Sequence, residues 1–157
     1  MSAPVGPDDN PASAPRHADP RVARLVAFFE AMQPADLDRL AEIYRDDARF
    51  KDPFNQVQGL AGVRHIYAHM FDTLEGPRFV VREVVAEGGR CWLTWDFLFR
   101  RRGSPTDWRI HGASLLRLDQ AGRIADHRDY WDAAEELYEK LPVLGALMRA
   151  LRRRLAS

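Results

Sequence analysis

The chain has 157 residues, of which 46% are hydrophobic and 29% are charged, a balance that predicts one globular domain with an apolar core. Lys and Arg together number 23, as do Asp and Glu, so the formal net charge is zero. A neutral chain lacks the positive field that holds a phosphate backbone, which argues against general nucleic-acid binding. Cys91, the one cysteine in the sequence, excludes an intrachain disulfide and any zinc site built from several cysteines.

The two ends of the sequence differ in composition from its centre. Residues 1–18 hold Pro, Ala, Ser and Asp with almost no large apolar side chain, so we expect a disordered tail. They contain no apolar signal core, and no other run reaches the roughly 20 apolar residues that span a bilayer, so a cytoplasmic protein without stable membrane insertion is predicted. The C-terminal LMRALRRRLAS is basic and amphipathic. Its cations can complement a helix dipole or make weak contact with an anionic membrane surface.

The first half of the chain has helical spacing. Asp19-Pro20 is an N-cap followed by proline, and the apolar residues after it predict a helix over 20–32. Pro34 starts a second helix, on which Leu37, Leu40, Ala41 and Tyr44 share a face. A short strand over 47–52 comes next, with Ala48, Phe50 and Asp52 on its inward face. A third helix is expected over 60–75.

From Pro77 onwards the apolar residues alternate with a period of two. This pattern predicts strands over 77–87, 90–101, 107–118 and 123–132, joined by glycine-containing turns that suit antiparallel neighbours. Helices are expected again over 132–140 and from Pro142 to 154. Helices followed by a meander predict an α+β fold with a curved antiparallel sheet covered by the N-terminal helices. We expect the folded domain to cover 19–132, a helical extension to cover 133–157, and a cone-shaped space between helices and sheet to form a pocket.

Asp52 is the sharpest candidate for chemistry. It lies between Phe50 and Phe54 and precedes Pro53 at the end of a strand. A carboxylate held among aromatic rings loses hydration, which would raise its pKa and suit it to act as a proton-transferring base. The alternative is an Asp that caps the following turn through the turn's own backbone, because Asp-Pro is also a turn signal.

The later strands hold three further candidates. Ser114 falls on the apolar face of its strand, where its hydroxyl could donate to a ligand or bond a neighbouring strand. His127 and Asp129 share one face of the last strand, where they could form a proton-transfer pair or orient one another. The alternatives are a solvated ladder of polar side chains or a subunit interface. His65 and His69 have the i, i+4 spacing of a metal site, but they lie opposite the apolar stripe of their helix and no metal is predicted there.

Two segments resemble one known superfamily. IYRDDARFKDPFNQVQGLAGVRHIYAHMF is similar to the signature region of SnoaL-like and ketosteroid isomerase-like proteins of the nuclear transport factor 2-like superfamily. DQAGRIADHRDYWD resembles the last hairpin and strand of these proteins. The resemblance covers residues 21–132 and implies the cone-shaped α+β fold, a pocket inside the cone, and in many members a homodimer formed through the outer sheet face.

The resemblance also implies roles for individual residues. Asp52 matches the general base of the isomerases, a family that illustrates carboxylate pKa tuning in general accounts of catalysis. Phe28 and Ser114 stand where those enzymes have their two oxyanion donors, and losing one such donor costs on the order of 100-fold in rate. Tyr44 and Tyr67 match accessory tyrosines of the pocket. The last strand is expected to direct His127, Asp129 and Trp131 into the cone.

These observations predict a protein that binds a small, largely apolar molecule bearing a carbonyl or hydroxyl group. If it is an enzyme, Asp52 and Asp129 are the expected acid–base groups and His127 would polarise the substrate or shuttle a proton. Phe28, Tyr44, Tyr67, Ser114 and Trp131 would line the pocket. Isomerisation or cyclisation by proton transfer requires no metal or organic cofactor. The alternative is a ligand-binding or dimerisation module of the same fold that performs no chemistry.

Overall fold

Helix α1 begins where the sequence places an N-cap and a proline. In the computed structural model of the chain, which describes residues 17–136, 149–151 and 153, α1 covers Pro20–Ala31. The Asp19 side chain accepts a hydrogen bond from the backbone amide of Arg21 at 2.9 Å, as an N-cap does. The residues that helical spacing places on one face are buried: Val22, Leu25, Val26 and Phe29. α1 therefore packs as the predicted amphipathic helix.

The other elements follow in chain order. They are a 3-10 helix over Pro34–Glu42, strands β1 over Tyr44–Lys51 and β2 over Gln56–Gln58, helix α2 over Leu60–Thr73, strands β3 over Leu74–Glu87, β4 over Arg90–Arg101, β5 over Asp107–Leu118 and β6 over Ile124–Tyr130, and helix α3 over Ala133–Glu136. The bounds of β4 and β5 are those predicted. The tail and most of the predicted C-terminal helices lie outside the described residues.

Tyr44 is placed differently from the prediction. The second helix is a 3-10 helix that ends at Glu42, so Tyr44 is the first residue of β1 and does not lie on a helix face. The strand begins early because the backbone amide of Ile124 donates to the carbonyl oxygen of Ile43 at 2.7 Å, which ties this segment to β6. Tyr44 is fully buried there.

The described strands form a single curved, unclosed sheet in the order β2-β1-β6-β5-β4-β3. Four of its strand pairs are antiparallel, but β1 and β6 run parallel. The sheet is therefore antiparallel, as predicted, except for this one pair. A parallel pair needs a long crossover, and here the whole segment from β2 to β5 supplies it. The α+β class, with N-terminal helices packed on the sheet, is confirmed.

The inner face of the sheet and the helices enclose the core. Ala48 and Phe50 of β1 are buried, as the predicted inward face requires, and Leu93 of β4 and Leu116 of β5 join them. The opposite face carries exposed Val85, Trp92 and Tyr130. Apolar side chains exposed together are typical of interaction surfaces, and the homodimer stays a prediction. None of the helices in the described ranges is long and apolar enough to cross a membrane.

Candidate active site

A cavity of about 340 Å³ lies between the helices and the inner face of the sheet. Its volume falls within the roughly 300–1,000 Å³ typical of small-molecule pockets. The walls are mostly apolar and aromatic, with Phe29 from α1, Phe50 from β1, Ile66 and Met70 from α2, Phe79 and Val81 from β3, Leu93, Trp95, Phe97 and Phe99 from β4, and Ile110 from β5. Such a lining suits a ligand that is largely apolar.

Polar groups at one end of the cavity come from the neighbouring strands β5 and β6. In the register of the sheet, Leu93 of β4 pairs with Ser114 of β5, and Ser114 pairs with Asp129 of β6. His127 stands two residues before Asp129, so both side chains point to the same face of β6. Ser114, His127, Asp129 and Trp131 all line the cavity, which is where the resemblance placed them.

These side chains belong to one continuous chain of hydrogen bonds. The Tyr67 and Tyr44 hydroxyl oxygens are 2.9 Å apart, and the Tyr44 oxygen is 2.6 Å from Nδ1 of His127. On its other side, Nε2 of His127 is 2.7 Å from Oδ1 of Asp129. The Ser114 hydroxyl donates to the same Oδ1, and Nε1 of Trp95 donates to the Ser114 oxygen at 2.8 Å. Tyr67, Tyr44, His127, Asp129, Ser114 and Trp95 are called the polar chain below.

The chemistry of the groups at one end fixes the direction of these bonds. An indole N–H can only donate, so Ser114 accepts from Trp95 and gives its own proton to Asp129. When Asp129 is ionised it can only accept, so Nε2 of His127 carries a hydrogen. The state of Nδ1 then decides the rest. With neutral His127, Tyr44 donates to Nδ1 and Tyr67 donates to Tyr44; with charged His127, both bonds reverse and the Tyr67 proton is available to the cavity.

Asp129 has one carboxylate oxygen that the polar chain does not use. Both of its hydrogen bonds fall on Oδ1, and within the described part of the chain Oδ2 has no hydrogen-bond partner. No buried side-chain oxygen among the described residues lacks a partner, so Oδ2 must be accessible. The Asp129 side chain is only 15% exposed and lines the cavity. Asp129 can therefore accept a proton from a molecule bound beside it.

Burial raises the pKa of the Tyr67 phenol, and the negative charge of Asp129 adds to this effect. Burial likewise raises the pKa of Tyr44 well above its ordinary value. Both phenols therefore stay protonated at neutral pH, where they can act as hydrogen-bond donors.

The raised phenol pKa values predict how stability depends on pH. Above the ordinary phenol pKa of 10.0, the unfolded chain releases these two protons while the folded chain keeps them. The unfolded state then binds fewer protons, so the free energy of unfolding should fall as the pH rises beyond about 10. In Tyr44→Phe the fall should be shallower, because one of the two groups is gone. Urea unfolding between pH 8 and pH 11 (roughly the window that brackets the phenol pKa) measures both slopes, and parallel slopes would contradict this assignment.

Asp52 lies at the cavity but is held by its own loop. Its Oδ1 accepts hydrogen bonds from the backbone amides of Phe54 at 2.7 Å and Asn55 at 2.6 Å, and the Asn55 side-chain amide donates to both carboxylate oxygens. Phe54, expected to wall it in, is 55% exposed and makes an edge contact with Trp131. This geometry agrees with the turn-capping interpretation. A catalytic role for Asp52 stays a prediction.

Two predicted pocket residues, Phe28 and Tyr44, do not line the cavity. Phe28 is not part of the cavity lining; its ring makes an edge contact with Phe29 and lies 5.9 Å from the Arg39 guanidinium. Phe29 takes the pocket position because α1 turns that side of the helix towards the sheet. Tyr44 is not a wall residue either, since it sits behind Tyr67 and His127 and reaches the cavity only through them.

Trp95 and Arg101 are among the site residues that sequence reasoning missed. Trp95 belongs to the polar chain, and Arg101 lines the cavity at the end of β4. The alternation along β4 was the available signal, because it places both residues on the same face as Leu93. His69 lies at the cavity although it was expected to face water, and its side chain is exposed. Over the described residues, no cluster of three or more His, Cys, Asp or Glu side chains could hold a metal ion.

Several solved structures have the same fold as this chain. The chain is similar to a protein with a ketosteroid isomerase-like fold from Catenulispora acidiphila in complex with trimethylamine (17% identity, TM-score 0.66, covering 77% of this chain and 92% of that one). It is also similar to a protein from Jannaschia described as a SnoaL-like polyketide cyclase (18%, 0.64, 73% and 87%). A third is a limonene-epoxide-hydrolase-like epoxide hydrolase from M. tuberculosis (19%, 0.64, 84% and 96%).

At these identities the likeness to solved structures shows the fold alone. No curated protein matches the chain. The sequence itself gives the family, because residues 25–127 match the model of the SnoaL-like domain. That match covers most of the chain and includes Tyr44, Tyr67, Ser114 and His127. The chain belongs to the SnoaL-like family.

Proposed function

We propose that this protein binds a small, largely apolar molecule bearing a carbonyl or hydroxyl group and moves a proton on it without a cofactor. The single observation that carries the proposal is the accessible Oδ2 of Asp129 at one end of an apolar cavity. A base in such a place meets its substrate with little competing water, which strengthens electrostatic interactions. The family includes relatives described as polyketide cyclases, which is consistent with chemistry of this kind.

The proposed step is proton transfer at a carbon next to a carbonyl. Oδ2 of Asp129 takes the proton, and the electron pair of the broken C–H bond becomes the new C=C bond of an enolate, whose negative charge collects on oxygen. With charged His127, the Tyr67 hydroxyl donates to that oxygen. Asp129 then returns the proton to another carbon, which completes an isomerisation. Alternatively, the enolate carbon attacks a second carbonyl within the substrate, the alkoxide formed there takes the proton from Asp129, and the cyclisation is complete. Aspartate and tyrosine supply the base and the donor that such a reaction needs.

His127 acts in this proposal as a positioning and charge-supplying residue. It is 4% exposed and is held by Phe50 and Phe29, whose ring centroids lie 4.7 Å and 6.0 Å from its own. Its ring therefore keeps both hydrogen bonds of the polar chain aligned. Its protonation state sets which way the Tyr44 and Tyr67 hydroxyls point, because Nδ1 either accepts from Tyr44 or donates to it.

A two-stage screen tests this proposal. Ketosteroid, polyketide and epoxide analogues are first tested for displacement of the neutral fluorescent probe N-phenyl-naphthylamine, and then for conversion by the purified protein without added cofactor. We expect at least one carbonyl compound to displace the probe and to be converted. Displacement without conversion across a broad panel would favour the alternative of a ligand-binding module, and the absence of any binding would overturn both.

A further inference from the structure

Arg101 marks the end of the cavity opposite the polar chain. Successive inward-facing residues of β4 line the cavity from Leu93, which pairs with Ser114, to Arg101. At roughly 3.3 Å per residue these two positions are about 26 Å apart along the strand. Both carboxylates of the lining, Asp52 and Asp129, lie at the other end, where they also share a shallower surface hollow. The cavity is therefore an apolar slot with acidic groups at one end and an arginine at the other.

The positive charge of Arg101 is not neutralised by any side chain of the described residues. Its guanidinium carbon lies 4.6 Å from the centre of the Trp108 ring, and it forms no ion pair there. The two flanking arginines differ in this respect. Arg100 lies 3.7 Å from Asp107, and Arg102 donates to the backbone carbonyl oxygen of Asp72 at 2.8 Å. Arg101 is thus the one member of the three that lines the cavity and has its charge available.

A guanidinium held over an indole ring is well prepared to bind an anion. Cation–π contact fixes the plane of the guanidinium and leaves its N–H edge able to donate two parallel hydrogen bonds. Carboxylates and similar oxyanions match that edge, and such charge-assisted bonds are stronger than neutral ones. Thr73 also lines this part of the cavity from the last turn of α2. Its hydroxyl donates to the His69 carbonyl oxygen at 2.7 Å. Arg101 is the one Arg or Lys among the described residues that line the cavity.

We infer that the ligand of this cavity is an elongated, aromatic or polycyclic acid whose anionic group binds Arg101 while its opposite end meets Asp129 and Tyr67. This inference rests on the proposed function, because it assigns the substrate class of the same cavity. It also fixes the orientation of the ligand in the cavity, because an anionic group at the Asp129 end would be repelled by the carboxylate there. The reacting carbon is therefore the one far from the acidic group.

A pair of fluorescent probes separates the inference from the proposed function. Anilinonaphthalene sulfonate and N-phenyl-naphthylamine share one aromatic skeleton, and only the first carries an anionic group. Binding of both is measured for the full-length wild type, for Arg101→Gln and for the matched control Arg100→Gln. Arg101→Gln should weaken binding of the sulfonate by roughly fivefold and leave the neutral probe unchanged. Arg100→Gln should change neither, and added salt should weaken only the sulfonate.

Other outcomes of the probe experiment would contradict the inference, alone or together with the proposed function. If the neutral probe binds and the sulfonate affinity is the same in wild type and Arg101→Gln, or falls as much in Arg100→Gln, the assignment of an acidic ligand is wrong while the proposed function survives. If neither probe binds the wild type, the cavity does not take aromatic ligands and both ideas fail. Arg101→Lys provides a further check, because it keeps the charge without the planar edge and should recover only part of the sulfonate affinity.

Discussion

Replacing Asp129 with Asn should lower turnover by roughly 100- to 10,000-fold, the range that a positioned acid–base group contributes. An amide cannot take a proton from carbon, yet its oxygen can still accept the hydrogen bonds that Ser114 and His127 make to Oδ1. We therefore expect the variant to fold and to keep its affinity for the neutral probe. The rate constant for conversion of a compound found in the screen, measured together with probe binding, checks this expectation.

Two other aspartates give matched controls for this experiment. Asp126 lies on the same strand but bonds Arg49 on the opposite face at 2.9 Å, so Asp126→Asn should leave turnover within a small factor of wild type. Asp52 lines the same cavity, but its Oδ1 accepts hydrogen bonds from the backbone amides of Phe54 and Asn55, and its Oδ2 accepts one from the Asn55 side-chain amide. Asp52→Asn should therefore cost far less activity than Asp129→Asn. A larger loss of activity in Asp52→Asn than in Asp129→Asn would mean that Asp52 is the base, as the family resemblance implies.

Gly112→Ala should be the most damaging small substitution in the sheet. A Cβ atom at this position would lie 2.5 Å from Cη2, 2.8 Å from Cζ2 and 2.9 Å from Cζ3 of Trp95. Trp95 is only 6% exposed, and its Nε1 holds Ser114, so the ring has little freedom to move aside. We expect a loss of about 1–3 kcal/mol in the free energy of unfolding, typical of overpacking. Urea unfolding of the variant and of wild type measures it.

Gly112→Ala made in a Trp95→Phe background tests whether the indole ring of Trp95 causes the loss of stability. Phenylalanine lacks the outer indole atoms that the new methyl group would meet, so Gly112→Ala should cost clearly less in that background. A double-mutant cycle isolates this coupling because the two residues touch. Equal costs in both backgrounds would mean that the methyl group is resisted by something other than Trp95.

Sequence patterns predicted some helices and strands closely and others poorly: α1, β4 and β5 have the predicted bounds to within one residue, whereas β1 and β3 begin three residues earlier than predicted. Strands β4 and β5 have the predicted bounds because each is a long run rich in apolar residues that is bounded by glycine-containing turns. The parallel pairing of β1 and β6 was not predictable in this way, because it joins segments far apart in sequence. Strand β2 was missed because its three residues, Gln56–Gln58, carry too short a pattern. The identity of the fold came from the family resemblance, which the SnoaL-like match confirms.

In the site, too, the residues whose position follows from strand alternation were predicted, and the contacts that depend on tertiary structure were not. Strand alternation and the resemblance together placed Ser114, His127 and Asp129 at the cavity, since a side chain's face follows from its position in a strand. Phe28 and Phe29 are neighbours on a helix, and their spacing alone does not tell which of them faces the sheet. The bond from Trp95 to Ser114 crosses between strands, and the amides that occupy Asp52 depend on the path of its loop. Neither of these contacts could be predicted from the spacing of residues in the sequence.

Exchange of carbon-bound hydrogen tests the central claim, that Asp129 moves protons on a molecule held in this cavity. The wild type is incubated in heavy water with a cyclic ketone that displaces the neutral probe, and deuterium entering the carbon beside the carbonyl is followed by NMR. The account predicts exchange well above the rate without protein, and its loss in Asp129→Asn but not in Asp126→Asn. A ketone that binds the wild type yet exchanges no faster than in buffer would contradict the account.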